Sequence, residues 1–210
     1  QNIGGIANVT VVGKAQRVLA FDNGPGNCLI DWAVREISKG RRRFDSGGRI
    51  ASRGRVNQKA VLQMARHSYF KKTPPKSAGR EIFDENFIPS SLRSAAPEEL
   101  VATLTYFTAH SIYQSYREFV PHTVSEIIVS GGGVFNKTLI RHLQTLFGPV
   151  PVRSIEEFGI PAQAKEPVAF AFFAWEAFHG RINHSPEGTG ARKAAILGKF
   201  VPGNSPYARP

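Results

Sequence analysis

One aspartate stands where an apolar run gives way to a loop rich in glycine and proline. Residues 18–20 are apolar, and the loop between Asp22 and Asn27 contains two glycines and a proline. A strand ending this way can hold a carboxylate beside bare backbone N–H groups that approach a ligand closely. Because open α/β sheets bind ligands outside the carboxyl ends of their strands, the pattern predicts a ligand site at Asp22. A plain capped turn is the alternative.

A second glycine-rich turn has the composition of an anion platform. Residues 131–133 are three glycines that follow the apolar run 127–129 and precede a helical pattern beginning near Asn136. Bare N–H groups and a helix N-terminus both favour anions. The turn lacks the Lys-Ser/Thr ending of a P-loop and the full spacing of a dinucleotide fingerprint, so it does not identify a nucleotide by itself.

A third candidate is Glu166, which begins a helical pattern that extends to Phe178. This helix is apolar nearly all round, so we expect it to be buried. A carboxylate beside a buried helix needs a cation, a metal ion or the helix dipole as its partner. Glu166 is therefore a candidate metal ligand, and a simple helix N-terminal anion is the alternative.

The elements that carry these residues alternate in the manner of an α/β domain. Residues 2–12 alternate around a Gly-Gly pair, which predicts an antiparallel hairpin. The spacing then predicts a strand at 18–21, helices from Cys28 towards Gly40, over 56–66 and over 97–119, parallel strands at 127–129 and 150–152, a last strand at 194–198 and a frayed tail at 202–210.

The loop at 67–81 contains prolines, glycine and several cations. It is either a connecting loop or a basic loop that reaches an anionic or polyhydroxy ligand. The three arginines at 41–43 could likewise grip phosphates, but a solvated face is the usual role of such a run. The formal charge of +11 favours polyanionic partners without choosing among nucleic acid, a membrane surface and phosphorylated ligands.

The composition bounds the class of protein. With 210 residues, of which 41% are hydrophobic, the chain is expected to form one domain with a sizeable core. The lone Cys28 excludes an internal disulfide, which favours the cytoplasm. No apolar stretch approaches the length of a membrane helix, and no charged start followed by an apolar core resembles a signal peptide. Because the chain opens at Gln1 on an apolar segment, we expect further sequence upstream.

Four motifs, taken in order, resemble the second half of the anhydro-N-acetylmuramic acid kinases, in the sugar-kinase, heat-shock ATPase and actin superfamily. They are residues 2–8, 21–27, 74–81 and 131–136. The related levoglucosan kinases share them, so the motifs do not assign the sugar. The resemblance implies an RNase H-like, actin-like ATPase lobe: an α/β fold whose mixed sheet combines an antiparallel hairpin with parallel strands and carries helices on both faces.

The resemblance also implies ATP, Mg²⁺ and a 1,6-anhydro sugar as ligands. Asp22 would be the general base on a water that opens the anhydro bridge, while the released sugar oxygen takes the γ-phosphoryl group. The implied sites are nucleotide contacts at Gly4, Gly5, Gly131, Gly132, Gly133 and Asn136, substrate contacts at Asn8, Gly24, Gly26 and Asn27, and Mg²⁺ at Glu166.

The sequence departs from the family pattern in two ways. Asn23 and Ala78 stand where the family usually has Thr. The phosphate loop of the family's first lobe has no counterpart here, so residues 1–210 are expected to be the C-terminal lobe of a two-lobe kinase, with the N-terminal lobe as its partner. A homodimer is left open. The alternatives are an inactive remnant and a basic nucleic-acid-binding module, the latter disfavoured because most Phe and Trp fall in core-like helical patterns.

Overall fold

The computed structural model describes residues 1–13, 18–120 and 123–201, so the predicted tail at 202–210 lies outside the described residues. Within these ranges the strands are β1 Asn2–Ile3, β2 Ile6–Val11, β3 Leu19–Pro25, β4 Ile127–Val129 and β5 Val152–Ser154. The α-helices there are α1 Cys28–Ile37, α2 Gln58–Ala65, α3 Ser90–Arg93, α4 Pro97–Phe119, α5 Lys137–Phe147, α6 Lys165–Phe178 and α7 Pro186–Thr189. The alternation of strands and helices confirms the predicted α/β class.

The strands form two ladders that meet at β1. Strands β1, β2 and β3 are antiparallel neighbours, and β4 pairs with β5 in parallel. A parallel bridge between Asn2 and Ser130 joins the ladders, with the Ile3 N–H donating to the Ser130 carbonyl at 2.8 Å. The order β3-β2-β1-β4-β5 is therefore a mixed sheet, as predicted, and it places the Gly4-Gly5 turn, which follows β1, beside the glycine-rich turn that follows β4.

Strand β3 is longer than its apolar run predicts. It pairs with β2 as far as Pro25, and the register shifts at Ala7 and Asn8, where the ladder is irregular. Asp22 consequently lies inside β3 rather than at its end. The carboxylate keeps its place beside the loop because the glycine-rich segment after Asp22 continues the ladder before α1 begins at Cys28.

Helix α4 runs along both halves of the hydrophobic core. Pro97 occupies its first turn together with two glutamates, as the start signals predict, and it ends at Phe119. Its first half packs into a cluster with α1 and α2 through Leu104 and Phe107. Its second half packs through Ile112 into the cluster that lies against the sheet and α5. The sheet and α1 are thus fixed to one central helix.

Three sequence expectations need correction. Helix α6 forms as predicted, but none of its residues is buried, and Phe170 and Trp175 are 71% and 59% exposed. Among the described residues the segment after α6 contacts it only in part, through Phe200 against Phe178 and the Asn183 hydrogen bond to the Phe173 carbonyl, and leaves its apolar side chains exposed. Residues 194–198 form no strand; the Leu197 backbone instead hydrogen bonds to the buried Asn183 side chain. The last parallel strand is β5, two residues later than the strand predicted at 150–152.

No helix among the described residues combines the length and the apolarity that crossing a bilayer requires. The three arginines at 41–43 are exposed, which fits a solvated face.

Candidate active site

Asp22 is held by the loop 67–81. Its carboxylate Oδ2 accepts a hydrogen bond from the Ala78 N–H at 2.8 Å, and its own N–H donates to the Lys76 carbonyl at 3.0 Å. The Tyr69 hydroxyl donates to the Asp22 carbonyl at 2.8 Å. The basic loop therefore does reach the candidate base and fixes its backbone as well as one carboxylate oxygen.

The other carboxylate oxygen is available for chemistry. Within the described part of the chain no group donates to Oδ1 of Asp22. Burial raises the pKa of this half-buried carboxyl, and the Ala78 hydrogen bond opposes the rise by favouring the charged form. A raised pKa makes the carboxylate a better proton acceptor than an ordinary aspartate. The arrangement can deprotonate a water or hydroxyl placed at Oδ1.

A cavity of about 440 Å³ opens beside this carboxylate; we call it the Asp22 cavity. Its walls come from β2, β3, the loop 67–81 and the segment around α7. Besides Asp22, its polar lining residues are Asn8, Thr10, Lys76, Ser77 and Thr189. Small pockets with several hydroxyl and amide groups beside a carboxylate suit a polyhydroxy ligand.

Lys76 places a buried ammonium group in the wall of this cavity. Its Nζ lies 4.3 Å from the ring centroid of Phe119, 5.0 Å from that of Tyr69 and 5.8 Å from that of Phe21. No described residue accepts a hydrogen bond from it. Cation–π contacts replace part of the lost hydration. Burial nevertheless lowers the pKa of the ammonium, against an opposing contribution from Glu118.

This lowered pKa fixes the sign of a pH effect on stability. Between the folded pKa of Lys76 and the ordinary lysine value of about 10.4, the unfolded chain binds more protons, so the free energy of unfolding rises with pH. Lys76→Met has similar length without charge, and we expect it to flatten this rise. Urea denaturation across the window measures the slope, with the exposed Lys59→Met as control. An unchanged slope in Lys76→Met would contradict the assignment.

A second cavity of about 660 Å³, the glycine cavity, lies at the turn between β1 and β2. Its floor is the Gly4-Gly5 turn, whose carbonyls accept hydrogen bonds from the N–H groups of Gly26, Asn27 and Cys28 at 2.8–3.1 Å. These bonds join the turn to the N-terminus of α1. Because the turn already accepts these N–H groups, an anionic group in the cavity would be favoured by the helix dipole and by Arg35 and Arg80 of the lining.

A third cavity of about 390 Å³ adjoins it and shares Asn27, Asp31 and Gly132. Its remaining lining mixes rings with amides: Phe44 and Phe135 stand with Asn136 and Gln163. The two connected cavities together suit an elongated ligand with an anionic part at the Gly4-Gly5 turn and a planar part beside the rings.

The three glycines at 131–133 have different surroundings. A side chain on Gly131 or Gly133 would collide with Ile3 of β1, so both are needed for packing. Gly132 is exposed, has open space where a side chain would stand, and lines both connected cavities. Only Gly132 among the three therefore faces the predicted nucleotide region.

Two other predicted contacts also have structural duties. The Asn136 side chain caps α5 by accepting from the Leu139 N–H at 3.0 Å, although it also lines the smaller cavity. Gly24 and Gly26 are buried, and side chains there would meet Phe70 and the Gly4 carbonyl respectively. A role of these two glycines in holding substrate stays a prediction.

Glu166 lies exposed in the first turn of α6, and the neighbouring Gln163, not Glu166, lines the smaller cavity. The described residues contain no group of three or more carboxylate, histidine or cysteine side chains placed to hold a metal ion. A single carboxylate still fits the usual Mg²⁺ arrangement, in which phosphate oxygens and waters complete the shell. The metal role of Glu166 stays a prediction.

The sequence reasoning missed two charged residues of the glycine cavity, Asp31 and Arg80. Burial raises the pKa of the Asp31 carboxyl to about 6, although Arg35 and Arg80 oppose the shift. Asp31 could have been found because it stands one helical turn after Asn27 and so faces the same side of α1. Arg80 was included only as one of the cations of the loop 67–81, and the cavity it reaches depends on the path of that loop.

Comparison with known proteins identifies the family. The family model described as anhydro-N-acetylmuramic acid kinase matches residues 1–203. The chain is 41% identical over 210 residues to a protein of that name from Caldanaerobacter subterraneus, covering 95% of this chain and 53% of the relative. A Streptomyces coelicolor protein of the same name is 38% identical over 212 residues, covering 100% of this chain and 54% of the relative.

The chain thus spans about half the length of the curated relatives it matches. The match includes both glycine-rich turns and Asp22, the features that form the cavities described above. On this similarity and this extent, the chain belongs to the anhydro-N-acetylmuramic acid kinase family.

Proposed function

We propose that this chain is one lobe of an ATP-dependent kinase acting on 1,6-anhydro-N-acetylmuramic acid. The observation that carries the proposal is the placement of Asp22, which lines a polar cavity while the Ala78 N–H holds one of its carboxylate oxygens. The names of the matched relatives support the amino sugar over levoglucosan. The same names favour a kinase over a nucleic-acid-binding module.

In this reaction Asp22 takes a proton from a water in its cavity. The water oxygen bonds to the anomeric carbon, and the bond from that carbon to the bridging oxygen breaks. The released sugar oxygen then bonds to the γ-phosphorus of ATP. The bond between the γ-phosphorus and the oxygen that joins it to the β-phosphorus breaks, and that oxygen leaves with ADP. The products are the 6-phosphorylated sugar, ADP and the proton held by Asp22, which leaves to solvent.

The connected glycine and ring-lined cavities are the proposed nucleotide site. The Gly4-Gly5 turn and Gly132 present backbone to the phosphates, and Phe44 and Phe135 stand where a planar base fits. Mg²⁺ supplies charge neutralisation to the phosphates when bound, and Glu166 is the residue proposed to hold it or its water shell.

A second lobe is proposed to close the site over these cavities. The matched relatives are nearly twice as long as the part that aligns. Helix α6 exposes large apolar side chains around most of its circumference, and these are Val168, Phe170, Phe172, Trp175 and Phe178. Surfaces of this kind mark interaction sites in folded proteins. We propose that the second lobe packs on this helix and that ATP binds between the two lobes.

The proposal predicts a large difference between the isolated 210 residues and the two-lobe protein. The two-lobe protein is expected to form ADP in a reaction that depends on the anhydro sugar. The isolated 210 residues are expected to do so at a rate at least about 10³-fold lower. The reason is that positioning both reactants and excluding water require the second wall of the cleft. A coupled ADP assay with each protein at equal concentration measures this. Robust sugar-dependent turnover by the isolated chain would contradict the two-lobe proposal, and none by either protein would contradict the kinase proposal.

A further inference from the structure

Arg80 occupies the space that a side chain on Gly5 would fill. A Cβ built on Gly5 would lie 3.1 Å from Nε and 3.2 Å from Nη2 of Arg80. The guanidinium group is therefore seated against the backbone of the Gly4-Gly5 turn, in the glycine cavity. A methyl group at position 5 would require the exposed guanidinium to move by a few tenths of an ångström.

The donors of this guanidinium are unused within the described residues. None of them accepts a hydrogen bond from it or lies within ion-pair distance of it. Of the three carboxylates of the cavity, Glu85 accepts from the Trp32 indole at 3.2 Å and Asp84 accepts from the Asn86 backbone at 2.9 Å. Asp31 forms no hydrogen bond with Arg80, but the positive charge of Arg80 opposes the rise of its pKa. An arginine carries five N–H donors in a fork that matches phosphate oxygens.

The loop that carries Arg80 also holds the candidate base. Ala78, two residues earlier, donates its N–H to Asp22. Two residues of chain span at most about 7 Å between their Cα atoms. One short segment therefore positions both groups. Arg80 lines the glycine cavity, and Asp22 lines the Asp22 cavity.

We propose that Arg80 binds the γ-phosphate of ATP during its transfer and that Gly5 is a glycine to make room for the guanidinium. This inference rests on the proposed kinase function. Charge spreads over the oxygens of the transferring phosphoryl group, so a guanidinium aimed at them stabilises the transition state. ADP lacks this group, and its binding does not depend on Arg80.

The first test uses Arg80→Ala and Arg80→Lys in the two-lobe protein. We expect Arg80→Ala to lower kcat by about 10²- to 10³-fold, with the affinity for ADP changed less than about threefold. Arg80→Lys recovers only part of the loss because an ammonium cannot form the bidentate contact. Added guanidinium ion should partly restore the activity of Arg80→Ala, which a merely structural role would not allow. Arg93→Ala, on the exposed surface of α3, is the matched control.

The second test is a double-mutant cycle with Gly5→Ala. The methyl group forces the guanidinium to move by a few tenths of an ångström, so kcat should fall about tenfold, in line with the cost of misplacing a catalytic group. In the Arg80→Ala background the same change should cost little, because the displaced group is already gone. Additive effects of the two changes would overturn the proposed seat.

The outcomes separate the two levels of the proposal. If the unsubstituted two-lobe protein does not phosphorylate the anhydro sugar with ATP, the proposed function fails. If it does so and Arg80→Ala keeps its kcat, the proposed function stands and the inference about Arg80 is wrong.

Discussion

Asp22→Asn in the two-lobe protein is expected to lower kcat by about 10²-fold or more, with the affinities for ATP and sugar kept. Asparagine matches aspartate in size, and its side-chain oxygen can still accept the hydrogen bond that Ala78 donates. The loop 67–81 therefore keeps its grip on β3. The variant loses only the proton acceptor, because an amide nitrogen replaces the carboxylate oxygen Oδ1. Rates of ADP release at saturating ATP and sugar give kcat, and calorimetric titration gives the affinities.

The control is Glu36→Gln, which removes a negative charge from the exposed side of α1 and should leave kcat within about twofold, since exposed charges are screened. A merely structural Asp22 would show itself in the variant as a lower Tm or weakened binding at nearly normal kcat. Wild-type kcat together with unchanged affinity would overturn the assignment of Asp22 as the base.

The pH profile of the unsubstituted protein gives an independent check on the same role. A general base works in its deprotonated form, so kcat/KM should fall as the pH drops through the pKa of Asp22. Burial raises this pKa, so the fall should begin at a higher pH than an aspartate of ordinary pKa, about 3.9, would give. The acid limb should be absent from the residual activity of Asp22→Asn.

Local patterns in the sequence were sufficient for the elements that position Asp22. The Gly4-Gly5 hairpin, the start of α1 and the full extent of α4 follow from turn residues, the proline at the start of α4 and apolar spacing, all of which act within a few residues. Strand β3 was predicted too short because its second half is held by pairing with β2 rather than by its own composition. Pairing of this kind depends on residues distant in sequence.

Contacts between residues distant in sequence also explain what the sequence did not predict at the site. The seat of Arg80 against Gly5 joins positions 75 residues apart, and no periodicity encodes such a contact. Helix α6 has the composition of a buried helix, but composition does not say which surface covers it. The three glycines at 131–133 correctly indicated a special turn but did not show why each glycine is needed. Packing against Ile3 and access for a ligand both require glycine.

Gly131→Ala separates these two causes and is expected to lower the free energy of unfolding by about 2–4 kcal/mol. Gly131 has φ of +82°, which strains any other residue, and a Cβ there would lie 2.7 Å from the Ile3 carbonyl oxygen and 2.9 Å from Oδ1 of Asn2. Ile3 belongs to β1 with its N–H bonded to the Ser130 carbonyl, and Oδ1 of the buried Asn2 accepts from the Ser130 hydroxyl at 3.1 Å, so movement of either neighbour breaks a hydrogen bond. Urea denaturation of the two-lobe protein measures the change.

Two further glycines serve as controls for the Gly131→Ala result. Gly148→Ala keeps a backbone that favours glycine, with φ of +59° and ψ of −113°, but places the methyl group in open space, so only backbone strain of about 1–3 kcal/mol remains. Gly132→Ala has neither strain nor collision and should change stability by less than about 0.5 kcal/mol, while weakening ATP binding if its backbone faces the phosphates. Equal losses of stability in Gly131→Ala and Gly148→Ala would show that contact with β1 contributes nothing. The glycine at 131 would then be required for its backbone conformation alone.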